Sequence, residues 1–116
     1  MSIAFGDART VPASNTAKDY MKQLVAKDIF NEQRDVWRLG AALGISTGNT
    51  YEKGQRGTFQ NINSLDPERI FAAIMVGLHP NTTPEGRLKT LIDYAEWGIR
   101  EIYNREQKGI LDFSKI

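Results

Sequence analysis

A chain of 116 residues with 41% apolar and 25% charged side chains suits one domain with its own core, and a net charge of +1 does not mark a strongly basic nucleic-acid binder. Without cysteine there is no disulfide, thiolate metal site or cysteine nucleophile, and a single histidine removes most zinc chemistry. The opening MSIAFGDART carries neither a basic nor an apolar signal region, and no apolar run nears the ~20 residues of a membrane helix, so the expected location is the cytoplasm.

Residues 1–13 read as an N-terminal arm. Ile3-Ala4-Phe5 suits a short strand or an anchored segment, and Thr10-Val11-Pro12 is extended because proline restricts the residue before it. A first helix starts near Ser14 to Thr16, whose hydroxyls can cap free N–H groups, and Thr16 with Asp19 approximates a capping box. Ala17, Tyr20, Met21, Leu24 and Val25 then recur at helical spacing, with Lys18, Asp19 and Lys22 on the other face. A second helix runs from about Asn31 to Leu43 or Ile45, placing Val36, Leu39, Gly40 and Leu43 together. Gly40 and Gly44 weaken it as a helix, which points to close packing or to termination.

Residues 46–65, STGNTYEKGQRGTFQNINSL, read as a long polar loop. A third helix begins at Asp66 as cap, with Pro67 and Glu68 in its first turn; its body, IFAAIMVGL, is apolar nearly all round, which predicts a central position or a covering subunit. Thr83-Pro84 then opens a fourth and longest helix, whose stripe Leu88, Leu91, Ile92, Ala95, Ile99 and Ile102 extends to about Gln107. Lys108-Gly109 ends it, and residues 110–116 are apolar enough to dock as a tail. The expected fold is mainly α: a single-domain bundle of about four helices spanning 1–116.

The glycines of the loop invite a phosphate-cradle reading, which their register does not support: Lys53 precedes Gly54, and no hydroxyl residue follows the lysine as a Walker loop requires. What the loop does offer is Tyr51, Lys53, Arg56 and Phe59, with several amides. These are groups that stack bases, neutralise phosphates and read base edges, although aromatics that pin an ordinary surface loop would look the same. Lys18 with Lys22, and Arg34 with Arg38, set two cation pairs one helical turn apart, able to track a phosphate backbone or simply to form a solvated face. His79 reads as a helix C-terminal cap, and Glu85, Asp93 and Glu96 as surface charges. Trp37, Tyr94 and Trp97 include aromatics off the main stripe, which suggests an interface and hence a homo-oligomer or a larger protein partner. No catalytic motif, metal site or cofactor site emerges.

The segments Val11-Pro-Ala-Ser-Asn-Thr-Ala-Lys-Asp-Tyr-Met-Lys-Gln-Leu24 and Val36-Trp-Arg-Leu-Gly-Ala-Ala-Leu-Gly-Ile-Ser46 resemble the opening of the ribbon-helix-helix-like E proteins of bacterial DNA phosphorothioation systems. An extended segment there precedes two helices, the second with an Arg-x-x-x-x-Leu character matched by Arg38 and Leu43. The resemblance covers about a third of the chain and ends at Ser46. It implies an oligomeric, nucleic-acid-associated accessory protein of a DNA-modification or defence system. Together with the loop it gives the leading expectation, a non-enzymatic DNA-binding or, less directly, RNA-binding protein that uses Lys18, Lys22, Arg34, Arg38, Lys53 and Arg56 on phosphates and Tyr51 or Phe59 for stacking. The alternative is a helical interaction subunit whose charges serve only solubility.

Overall fold

The computed structural model describes residues 4–115. Its elements, in order, are strand β1 (Thr10–Ser14), helix α1 (Asn15–Ala26), α2 (Gln33–Thr47), strand β2 (Arg56–Asn61), the single turn α3 (Ile62–Leu65), α4 (Ile70–Leu78), α5 (Pro84–Gln107) and a terminal 3-10 turn at Phe113–Lys115. Mainly helical architecture is therefore as expected, with one short antiparallel ribbon added. Of the arm, Ala4 and Phe5 lie buried in a turn; Ile3 falls outside the described residues.

Ser14 starts α1 as anticipated, its Oγ accepting from Ala17 N at 3.0 Å. Asn31 does not cap α2. Glu32 does, through a reciprocal exchange in which Asp35 accepts from the Glu32 N–H at 3.1 Å. Asp66 caps the helix after it at longer range: residues 66–69 make a turn, α4 begins only at Ile70, and the Asp66 carboxylate accepts from Phe71 N and Ala72 N at 3.0 and 2.9 Å. Pro67 and Glu68 consequently lie outside the helix and exposed. Thr83-Pro84 opens α5 as expected, with Thr83 Oγ1 accepting from Gly86 N.

The expected 46–65 loop needs correction. Only its first part is loop; residues 56–61 pair with β1, Thr10 opposite Asn61 and Ser14 opposite Arg56, with a bulge at Val11/Pro12 that leaves Phe59 as the additional residue on β2. A break in the ladder at Pro12 follows from its missing N–H.

The order of layers differs as well. Central position belongs to α5, where Leu91 through Glu96, Gly98, Ile99 and Ile102 are all buried. Its main neighbour is α2, crossed at glycines so closely that a Cβ on Gly98 would fall 1.8 Å from the Gly40 carbonyl oxygen and one on Gly44 would fall 2.3 Å from that of Tyr94. Trp37, Val36, Ala41 and Leu43 of α2, Met21 and Leu24 of α1, and Val11 and Ala13 of β1 close the core around this crossing. By contrast α4 sits at the periphery. Ala72 and Met75 are buried, and Phe71 meets Trp37 edge-on with 5.8 Å between ring centroids. Behind it, Arg87 Nε and Nη2 donate to the carbonyls of His79 and Pro80, closing the C-terminal end that His79 itself caps.

The tail docks in part. Phe113 meets Phe30 edge-on at 5.6 Å and Leu111 is half-buried, while Ile110 remains exposed; Ile116 lies outside the described residues. Ser114 donates to Asp112 from both its Oγ and its N–H, which holds the Asp112 carboxyl below the usual carboxylate range. None of the described helices is long and apolar enough to cross a membrane.

Candidate functional site

The eight residues expected to form a nucleic-acid surface divide into two groups. Arg38 is structural: its Nε and Nη2 donate to the carbonyls of Leu65 and Ser64 at 2.8 and 2.7 Å, capping α3. Arg56 is structural too, with Nη1 on Asp93 at 2.6 Å and Nη2 on the Tyr51 carbonyl at 2.7 Å. Tyr51 already has a stacking partner, the Arg100 guanidinium 3.8 Å from its ring centroid. Arg34 pairs with Glu32 on the surface, and Phe59 packs half-buried against the edge of the core, beside Val25 and Arg34. Hence five of the eight are committed to internal contacts.

Lys18, Lys22 and Lys53 make no hydrogen bond or ion pair among the described residues. The Lys18 ammonium stands against the ribbon, 3.5 Å from where a Cβ on Gly57 would lie, and Lys22 follows it one turn along the exposed side of α1. That places two free cations beside the outer strand of the ribbon, with Gly57, Thr58 and Asn61 exposed on it.

Asp93 and Glu96 overturn the surface-charge reading most clearly, being 2% and 1% exposed. Glu96 accepts from the N–H and Oγ of Ser14 at 3.0 and 2.7 Å and from Arg100 Nη1 at 2.7 Å. Asp93 accepts from Arg56 and, at 2.9 Å, from Lys89, and its carbonyl takes the Tyr51 N–H at 3.0 Å. Two buried carboxylates in one cluster resemble acid–base machinery at first sight. Yet their oxygens are taken up by cations and the cap of α1, so the network fastens the ribbon and the 51–56 segment onto α5 and leaves no acceptor turned to a substrate.

A different surface stands out once burial is known. On α4 the residues Ile70, Ala73, Gly77 and Leu78 are exposed and Ile74 is half-buried, a set spaced i, i+3, i+4, i+7, i+8 along one outward face. Ile70 and Leu78 are 56% and 52% exposed. The nine residues of α4 contain no polar side chain at all, so this helix offers water the face that an amphipathic helix would hide. Its apolar composition is plain in the sequence, and of the two placements that composition predicts, central or beneath a covering subunit, the central one is not the one it occupies.

No family model, characterised protein or solved structure matches the chain, so the resemblance of residues 11–46 to phosphorothioation E proteins rests on those residues alone.

Proposed function

We propose that this protein is a non-enzymatic assembly subunit whose copies associate through the outward face of α4. The observation that carries the reading is the unbroken apolar stripe Ile70, Ala73, Ile74, Gly77 and Leu78 on a peripheral helix. An uncharged face needs an equally uncharged partner, and a second copy supplies one by symmetry, residue for residue. Ala73 and Gly77 at its middle are small enough for two backbones to approach, the device this fold already uses between α2 and α5.

Size sets the expected strength. Nine helical residues extend about 13 Å, too short a face to bury the roughly 800 Å² per partner of a standard stable interface, so the contact should be weak, with a Kd on the order of tens of micromolar. Sedimentation velocity over a concentration series should show wild-type protein passing from monomer to dimer. Leu78→Glu should stay monomeric with an unchanged helical circular dichroism spectrum, because a carboxylate on that face would be buried unpaired. Wild-type protein that is monomeric at every concentration would overturn self-association.

A second reading, the nucleic-acid-binding accessory protein implied by the resemblance to E proteins, draws support from the free cations Lys18 and Lys22 beside the ribbon, which a dimer would double. Fluorescence anisotropy at low salt with duplex, nicked and single-stranded DNA and with RNA tests it. Binding should weaken steeply with salt, and Lys18→Glu/Lys22→Glu should reduce the slope by about 2 for each copy bound, one condensed counterion per lost phosphate contact. Absence of binding to all four ligands sinks this reading.

A further inference from the structure

Among the described residues six of the eight arginines have partners within the chain, Arg34, Arg38, Arg56, Arg87, Arg100 and Arg105 each making a side-chain ion pair or hydrogen bonds. The side chains of Arg9 and Arg69 make none. Far apart in sequence, these two line one and the same cleft of about 660 Å³, between the N-terminal turn on one side and α3 and the start of α4 on the other. Asn61, Asn63 and Ser64 line it as well, over a floor that includes the buried Phe5 and Ala72. That volume is the size of a small-molecule site, and the lining supplies a few polar groups on an apolar base, as such sites do.

Two details bear on which ligand fits. Asp66 lies in the lining with its two carboxylate oxygens on the Phe71 and Ala72 N–H groups, which ties it to the start of α4 without removing its charge. Asp7 lines the cleft too and is exposed, so the lining balances two arginines with two carboxylates, of which Asp66 is tied into the fold while both guanidiniums stay open to a ligand. Arg69 also sits in the left-handed region at φ 57°, ψ 31°, where glycine is the favoured residue and a long side chain is strained. Its main chain closes the turn and opens α4, with its N–H on the Asp66 carbonyl and its carbonyl accepting from Ala73 N, but its side chain makes no internal hydrogen bond or ion pair among the described residues, so the fold uses the conformation and not the guanidinium.

We propose that the cleft binds a phosphate monoester, clamped by the Arg9 and Arg69 guanidiniums, with the Asn61 and Asn63 amides and the Asp7 carboxylate left to meet the donors and acceptors of an attached nucleoside. Guanidinium forks match phosphate oxygens, and amides match base and sugar edges. A free nucleotide and the phosphorylated end of a strand present the same chemistry, and the two can be told apart.

Nuclear magnetic resonance titrations of the full chain with inorganic phosphate, adenosine, adenosine 5′-monophosphate, and a short oligonucleotide with or without its 5′-phosphate provide the test. Phosphate and the monophosphate should shift the amides of residues 6–9, 61–64 and 69, and adenosine should not. Tighter binding of the 5′-phosphorylated strand than of the monophosphate identifies a strand end as the source; equal or weaker binding identifies the free nucleotide. Arg9→Gln and Arg69→Gly should each raise the Kd about tenfold, the loss of one charge-assisted contact. Arg69→Gly should also melt at the same or a higher temperature, because glycine relieves the left-handed residue, so the loss of binding cannot be assigned to unfolding. Equal shifts with adenosine, shifts scattered over the surface, or an unchanged Kd in Arg69→Gly would overturn the proposal.

Discussion

Gly98→Ala should destabilise the protein by about 3–5 kcal/mol, although the same change in an open helix would stabilise it by up to about 1 kcal/mol through propensity. The reason is backbone contact. A methyl at Gly98 would lie 1.8 Å from the Gly40 carbonyl oxygen, 2.3 Å from its carbon and 2.5 Å from its Cα. No rotamer can relieve a clash with main chain, so α2 and α5 must move apart. Every large side chain packed around the crossing, Trp37, Leu91 and Ile99 among them, then loses close contact. Against a total stability of roughly 5–15 kcal/mol the loss approaches unfolding, and a surviving fold should melt on the order of 15 °C lower. Gly77→Ala is the matched control, because nothing lies within 4 Å of its added Cβ. Urea denaturation of both variants, below the concentration at which copies associate, separates clash from propensity. A Gly98→Ala protein as stable as wild type would mean that the helices do not cross at these residues.

How much of this fold is legible in the sequence depends on how far away the determining partner lies. The starts of α1 and α5 are readable because Ser14 and Thr83-Pro84 act on N–H groups within three residues, and the α5 stripe follows from spacing alone. The role of Gly40 and Gly44 in close packing is equally within reach, since two small residues one turn apart imply a close neighbour. Strand β2 is not: RGTFQN contains one large apolar residue and no alternation, and it is a strand because β1, far earlier in the chain, pairs with it. The misplacement of α4 has another cause. An all-apolar helix predicts burial by composition, but composition does not distinguish a central helix from one whose outer face waits for a partner. For the site residues the failure is one of pairing. Arg38 and Arg56 look like free surface cations until α3 and Asp93 are brought against them, while Arg9 and Arg69, isolated in sequence and part of no motif, prove to be the arginines that the fold leaves uncommitted.

Asp93 and Glu96 are the sharpest instance, charged in sequence yet buried in the fold. Lys89 with Asp93 and Glu96 with Arg100 have the i, i+4 spacing of any solvated helix face, and only Arg56 and Ser14, 37 and 82 positions away in sequence, reveal that the carboxylates are buried. Removing the Glu96 carboxylate should therefore cost far more than a surface ion pair, whose usual contribution is about 0–1 kcal/mol. In Glu96→Ala the Ser14 N–H loses its acceptor, Ser14 Oγ loses the group that takes its proton, and the Arg100 guanidinium is left partly buried without a counter-charge. Breaking such a pair from one side costs about 3–5 kcal/mol, most of it from the charge left behind. Glu96→Ala/Arg100→Ala should then lose clearly less than the sum of the two single changes, since no orphan charge remains, with a coupling of at least about 0.5 kcal/mol. Ser14→Ala alone should lose about 1–2 kcal/mol, as it removes the cap of α1 together with one partner of Glu96. A urea-denaturation cycle over these variants measures all three quantities. Additive costs, or a Glu96→Ala protein within about 1 kcal/mol of wild type, the range of a surface pair, would place Glu96 in solvent and dissolve the junction that holds the ribbon and α1 against α5.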